Sequence, residues 1–415
     1  MDKASQRAWA LYDFGNSTFA TTVMAGLFPA FFKQYWSAGI DAATSTWNLG
    51  LANGISSLIV VVLAPIVGAL ADAGQAKKRW LAGFAALGCT ATALLFLVPK
   101  SNWQLAAAAY AAASVGFASS LVFYDALLVS VADESERDRV SAQGYSWGYL
   151  GGGLLFAINV LMVIKPALFG FADASVGVRV SFVSVALWWA VFTLPLLTRV
   201  RERGGAPRAH AITRGLSQLL ATLRRIRELR PVWMFLLAYW LYIDAVSTVV
   251  LMAIDYGLSI GLPRDSLIVA LLITQFVGFP AAIAYAKLVP LLGTRRSILL
   301  GLCVYAGVTV FGFFMTSAAE FYVLAGVIGL VQGGVGALSR SYFSRLIPPE
   351  EAGEFFGFYN MLGKFAAVIG PPLMGLVGLV SGSPRVGILS LLVLLIAGGW
   401  LLMRVPEPPR SAGDR

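Results

Sequence analysis

In the stretch WALYDFGNSTFATT, Trp9 to Thr22, a carboxylate interrupts an otherwise apolar run. Asp13, Asn16, Ser17 and Thr21 fall at i, i+3, i+4 and i+8, which is one face of a helix. A carboxylate at membrane depth costs about 2.5–3.5 kcal/mol on insertion scales, so one kept there marks a binding or proton-transfer site. The pattern returns 231 residues later: Trp9-x-x-x-Asp13-x-x-Asn16-Ser17 matches Trp240-x-x-x-Asp244-x-x-Ser247-Thr248. Asp255 lies eleven residues beyond Asp244, about three turns, and so returns to the same face. Two polar stripes at matched positions are what a shared aqueous cavity requires. The alternative, that each aspartate satisfies a helix or pairs near the interface, stays open at this level.

Other ionisable and amide groups sit in apolar surroundings. Tyr124 and Asp125 fall together, and Gln332, Ser339 and Arg340 share a face further along the chain. A deep arginine needs a partner, and Asp125 sits at the roughly equivalent point of the earlier half, so the two form a candidate pair. Snorkelling of both to the membrane surface is the competing reading. Asn360 and Lys364 are one turn apart, with Tyr359 beside them. A buried lysine either pairs with a carboxylate or gives up its proton, and both suit a site that holds a substrate carboxylate or exchanges a proton. Gln275 is a candidate for the same cavity, whereas Lys287 lies near a span end.

The elements that must position these groups follow from composition. The 415 residues are 58% hydrophobic and only 13% charged, about half the charge of a soluble domain. The apolar runs are continuous and about 20 residues long, which selects membrane-spanning helices over barrel strands. Twelve spans are expected: 8–33, 46–71, 79–98, 103–131, 140–164, 178–198, 231–257, 265–289, 297–317, 320–345, 354–380 and 386–403. Met1 to Arg7 is short and polar with no cleavage site after it, so the first run is expected to stay as a span rather than act as a signal peptide. The spacing predicts six-helix bundles over 1–198 and 231–403, a basic linker over 199–230 and a tail over 404–415. Of 31 Lys and Arg, 22 fall on the side of the termini, 6 on the other side and 3 within spans. This asymmetry predicts cytoplasmic termini, and hence a multi-pass protein of a bacterial-type inner membrane. It also explains the net charge of +10 without nucleic acid. Within the linker, Ile212, Leu216, Leu219, Leu220, Leu223 and Ile226 recur at helical spacing opposite arginines, which predicts an interfacial helix on anionic lipid. Cys89 and Cys303 are single small residues in separate apolar segments, and His210 is the only histidine. No metal or cofactor is expected.

The turns repeat as well. GALADAGQAKKR after the second span is echoed by AKLVPLLGTRR after the eighth, and DESERDRVSAQGYSWG by PPEEAGEFFGFYNMLG. Two six-span halves, a long central loop and G-x-x-x-D with a following Gly and basic cluster resemble the major facilitator superfamily. YDFGNS, ERDRVSAQGYSWGYLGGG and ALSRSYFSRLIPPEEAGEFFGFYN resemble, more narrowly, the branch related to fungal vacuolar amino-acid effluxers of the autophagy pathway. The resemblance implies twelve helices in two pseudo-symmetric bundles, with spans 1, 4, 7 and 10 lining a central cavity. It also implies a cytoplasmic gate of Gly68, Asp72, Gly74, Lys77, Lys78, Arg79, Arg137 and Arg139, with Asp72 near a facing helix N-terminus. The Glu350/Glu351/Glu354 loop offers opposite charge to Lys77–Arg79. The chain departs from the pattern in two places: Asp72-Ala-Gly74 shortens the first motif, and Pro290 stands where the second copy would carry an acid. A carboxylate latch is therefore expected in the first half alone. Gly144, Gly148 and Gly152 repeat every four residues, as close helix packing requires.

No phosphate-binding loop, zinc-protease motif or nucleophile elbow occurs, so an enzyme is not expected. The reading is a monomeric secondary transporter moving a small polar or zwitterionic, amino-acid-like solute by alternating access. Coupling to protons through Asp13 or Asp244 and export are both expected. Efflux of lipophilic compounds and a non-transporting scaffold or receptor on the same fold are the alternatives.

Overall fold

The computed structural model describes residues 2–40, 42–74, 76–202, 228–365 and 369–406; within these, the side chains of a few positions, Asp255 and Lys364 among them, are not described. Most of the expected linker helix therefore lies outside the described residues. The described chain is helical, with no strand in it. The main helices are α1 (Lys3–Thr18), α2 (Ala42–Gly74), α3 (Lys77–Leu94), α4 (Trp103–Ala126), α5 (Arg137–Ile164), α6 (Ala174–Arg199) and α7 (Arg230–Ser259). They continue with α8 (Arg264–Ala286), α9 (Thr294–Phe314), α10 (Ala318–Leu346), α11 (Ala352–Phe365), α12 (Gly370–Ser381) and α13 (Leu391–Arg404).

Ten helices among the described residues are long and apolar enough to cross a bilayer. The other two expected spans are segmented. The first runs from α1 into π-helical turns, Phe19–Leu27 and Phe32–Trp36, a wider winding that favours functional sites. The span expected as one helix over 354–380 is instead divided into α11 and α12. Pro371 and Pro372 lack the N–H that a helix interior needs and fit only its first turn, so α12 begins at Gly370. The helix ends are set by polar caps. Asp2, Asn102 and Asp173 accept backbone N–H groups, and Ser317 with Glu320 closes a capping box at α10. At Asp173 the Ser175 hydroxyl and the first-turn N–H groups hold the carboxyl below its ordinary value.

The buried apolar residues form two large clusters, one drawn from residues 8–200 and the other almost wholly from 232–405. Contacts repeat between the two parts of the chain. The Tyr12 hydroxyl donates to Ser120 at 2.7 Å, joining α1 to α4, and Tyr242 pairs with Ser339 at 2.7 Å, joining α7 to α10. At the end of the bundle away from the termini, Arg179 donates to the Phe96 carbonyl after α3. Arg385 does the same at the end of α9, donating to the carbonyls of Phe313 in its last turn and Met315 just beyond it. These helix ends would otherwise leave carbonyls unsatisfied.

Helix α5 is the pivot of the packing. A Cβ on Gly148 would lie 2.6 Å from Ser17 Oγ, and one on Gly152 would lie 2.7 Å from Thr21 Oγ1. The absence of side chains is what lets α1 approach. On its other side α5 projects Tyr149 against Gly278 of α8 and Gly333 of α10, and Tyr145 against Gly336 of α10.

Candidate functional site

Arg340 is the centre of the site. It is 3% exposed, and its partners come from the other part of the chain. Its Nη1 donates to Asp125 Oδ1 of α4 at 3.0 Å, its Nε to Ser141 Oγ of α5 at 2.9 Å, and its Nη2 to the Ser141 carbonyl at 2.9 Å. Three ring faces surround the guanidinium: Tyr145 at 4.7 Å, Trp9 at 4.8 Å and Tyr124 at 5.2 Å. The second Asp125 oxygen accepts from Asn360 Nδ2 of α11 at 2.9 Å. One ion pair thus ties α4 to α10 and α11, with α5 supplying the remaining acceptors. Such a pair holds only while its hydrogen bonds are complete.

Asp13 lies next to this cluster and is 8% exposed. Ser17 donates to its Oδ1 and Tyr124 to its Oδ2, each at 3.2 Å. Tyr124 stacks on Trp9 with ring centroids 4.3 Å apart, and the Trp9 indole N–H donates to the Tyr124 carbonyl at 2.8 Å. Tyr124 therefore touches Asp13 through its hydroxyl and Arg340 through its ring. Asn16 is buried one turn further along. Thr21 accepts from Gln275 of α8 at 3.2 Å, a second link across the two parts. Gln332 of α10 keeps its Oε1 buried without a hydrogen-bond partner among the described residues.

The α7 stripe is placed differently from the α1 stripe. Asp244 is fully buried. Its Oδ2 accepts the Ile369 N–H at 3.0 Å and its Oδ1 the Gly370 N–H at 2.8 Å, with Thr248 donating at 3.3 Å. The carboxylate caps α12, where first-turn N–H groups and the helix dipole favour an anion. The break in the span gives Asp244 a partner that its twin Asp13 lacks. Ser247 is half-buried on α7, and the side chains of Asp255 and Lys364 lie outside the described residues.

At the end bearing the termini, Asp72 lies against the start of α11. Its Oδ2 accepts the Glu354 N–H at 2.7 Å in the first turn of α11, and it is ion-paired with Lys77. A Cβ on Gly68 would strike the Gly353 carbonyl of α11, so Gly68 permits the approach. Gly74 ends α2. The contacts described for Lys77 and Lys78 lie within their own part of the chain. The Lys77 and Lys78 N–H groups are taken by Glu202 at 3.0 and 2.9 Å, Lys78 Nζ by the Val200 carbonyl at 2.7 Å, and Arg79 is exposed. Arg139 pairs with Gln6 and Glu136, in its own part of the chain. Arg137 does cross, donating to the Ser344 carbonyl at 2.8 Å.

Asp72 is not the sole carboxylate of the first half that reaches the second half at this end. Asp138, in the first turn of α5, is ion-paired with Arg345 and bonded to Ser341 at the end of α10. It also accepts from Thr294, the first residue of α9, at 2.9 Å. Pro290 removes the acid from the turn before α9, but α5 supplies a carboxylate to the same place. The alternating charges of Asp133–Arg139 were the available signal. Ser141, Trp9 and Tyr145 carried none beyond their type, because their roles depend on where Arg340 lands.

The family model described as vacuole effluxer Atg22 like matches residues 38–410. An uncharacterized MFS-type transporter of Bacillus subtilis (strain 168), YxiO, is 36% identical over 97% of this chain and 95% of its own. Autophagy-related protein 22 of Coccidioides immitis (strain RS) is 26% identical over 91% of this chain and 75% of its own. Among solved structures, the major facilitator transporter FucP in its outward conformation superposes with a TM-score of 0.71 at 12% identity, covering 97% of this chain and 98% of that one. The human organic anion transporter MFSD10 superposes with a TM-score of 0.72 at 14% identity, covering 97% and 100%. At these identities the superpositions establish the fold alone.

Proposed function

For a chain that belongs to the Atg22-like vacuole effluxer family of major facilitator transporters, we propose export of a small polar or zwitterionic, amino-acid-like solute in exchange for protons. The protein is a multi-pass membrane transporter and not an enzyme. The reading treats residues 1–198 and 231–403 as two six-helix halves that rock about the Arg340 cluster as a monomer, with both termini cytoplasmic. The supporting observation is the juxtaposition of Asp13 with the Arg340–Asp125 pair, two carboxylates and a guanidinium buried between the halves. Together they offer opposite charges for the two ends of a zwitterion and a carboxylate that can carry a proton.

In this scheme the latches at Asp72 and Asp138 hold the cytoplasmic side shut. Opening that side requires Asp125 to release Arg340 or Asn360. A solute carboxylate that pairs with the guanidinium lowers the cost of that release, since a buried charge stripped of its partner costs about 3–5 kcal/mol. Solute binding and domain rocking are thereby linked.

The test is purified protein in liposomes with an imposed pH gradient, across amino acids, small peptides, sugars and lipophilic cations. Gradient-driven flux of a polar solute, lost in Asp13→Asn with the protein still folded, supports the reading. Flux that is unchanged in Asp13→Asn removes Asp13 as the proton carrier, and selective flux of lipophilic cations replaces the solute class.

A further inference from the structure

Resting on the transporter reading, we propose that Asp13 and Asn16 form a subsite for a primary ammonium group of the solute, and that this ammonium and a proton exclude one another at the Asp13 carboxylate. Two independent observations point to a missing ligand. Asp72, Asp125 and Asp138 each have a lysine or arginine nitrogen within ion-pair distance. Asp13 has, among the described residues, only the hydroxyls of Ser17 and Tyr124. Asn16 is 1% exposed; its amide faces the Tyr12 hydroxyl, and its Oδ1 has no hydrogen-bond partner among the described residues. Its neighbour Tyr12, one turn before it, already donates to Ser120. Asn16 and Asp13 are three residues apart, about one turn, on neighbouring positions of α1.

The chemistry of these groups selects an ammonium. Asp13, Asn16 Oδ1 and Ser17 Oγ supply three acceptors within five residues of α1, as many as the donors of R–NH3+. The stacked rings of Trp9 and Tyr124 beside them favour a cation. A quaternary ammonium has no donor for Asn16, and a hard divalent cation asks for six or more oxygens. The charged and titratable groups facing Asp13 are Tyr124 and Asp125 from α4, Tyr145 and Tyr149 from α5 and Arg340 from α10. Arg340 is already engaged by Asp125 and Ser141. In the exchange, the carboxyl O–H of protonated Asp13 breaks, its proton leaves to water on the open side, and the carboxylate receives the ammonium unchanged. One proton is released for each solute bound.

The experiment uses the full chain in liposomes loaded with a pH-sensitive dye. The panel holds the common amino acids, their matched 2-hydroxy acids and their N-acetyl derivatives. Expected is solute-driven proton movement with at least one free amine, with its 2-hydroxy and N-acetyl counterparts at least about tenfold weaker. Apparent affinity for that amine falls by up to about tenfold per pH unit on acidification, as competition with one proton requires. Asn16→Ala weakens the amine about tenfold or more and leaves any residual response to the 2-hydroxy acid unchanged. If a 2-hydroxy acid or N-acetyl derivative works as well as the amine, the ammonium subsite is refuted and the transporter reading stands. If nothing in any arm moves, the amino-acid-like solute class of the proposed function itself fails. If Asn16→Ala does not fold, the matched compounds on the unaltered protein decide alone.

Discussion

Replacing Asp138 with alanine should open the end that carries the termini. The carboxylate receives Arg345, Ser341 and Thr294, two helices of the later part of the chain held by one side chain of the earlier part. Ser341 keeps the Leu338 carbonyl as an alternative acceptor, so the loss falls mainly on the Arg345 pair. A hydrogen bond to a charged group contributes about 1.5–3 kcal/mol, and the Arg345 and Asp138 side chains are 13% and 9% exposed, so screening is modest. Taking about 3 kcal/mol, the open fraction rises roughly 100-fold. The readout is alkylation of the thiol introduced by Ser344→Cys, in a background with Cys89 and Cys303 replaced. Ser344 is fully buried beside Arg137, so modification at that position reports opening. Arg345→Ala should raise the rate similarly, and the double variant should exceed neither single by much, because both remove one interaction. Exchanging the charges, Asp138→Arg with Arg345→Asp, should recover most of the protection. A rate within twofold of the unaltered protein for Asp138→Ala would refute the latch.

Asp72→Ala should raise the same alkylation rate by roughly tenfold or more, since it uncaps the first turn of α11 and strips Lys77 of its partner. Gly148→Ala drives a methyl to 2.6 Å from Ser17 Oγ and should cost about 1–3 kcal/mol by overpacking, seen as a lower melting temperature in detergent; Gly83→Ala, with open space around it, should leave melting unchanged. Asp244→Ala should destabilise more than Asp13→Ala in the same assay, because it leaves the Ile369 and Gly370 N–H groups unpaired. Equal losses would contradict the capping role.

The sequence alone determined that this is a polytopic helical membrane protein and where most of its apolar helices lie. These follow from local rules: a backbone in lipid must satisfy itself, so continuous apolar runs become helices, and caps such as Asp173 and Ser317 close them. It also singled out Asp13, Asp125, Asp244 and Arg340, because a charge in an apolar run is conspicuous whatever surrounds it. What it could not assign was the partner of each. Asp13 and Asp244 have the same local pattern, yet one meets two hydroxyls and the other caps α12. That difference rests on Pro371 and Pro372, more than a hundred residues from Asp244. The charge run Asp133–Arg139 marked Asp138 only as one charge among several, because its partners, Thr294, Ser341 and Arg345, are brought to it only where α5 crosses α9 and α10. Burial depends on residue type and can be read along a chain; pairing depends on which helices cross, and only the tertiary structure decides that.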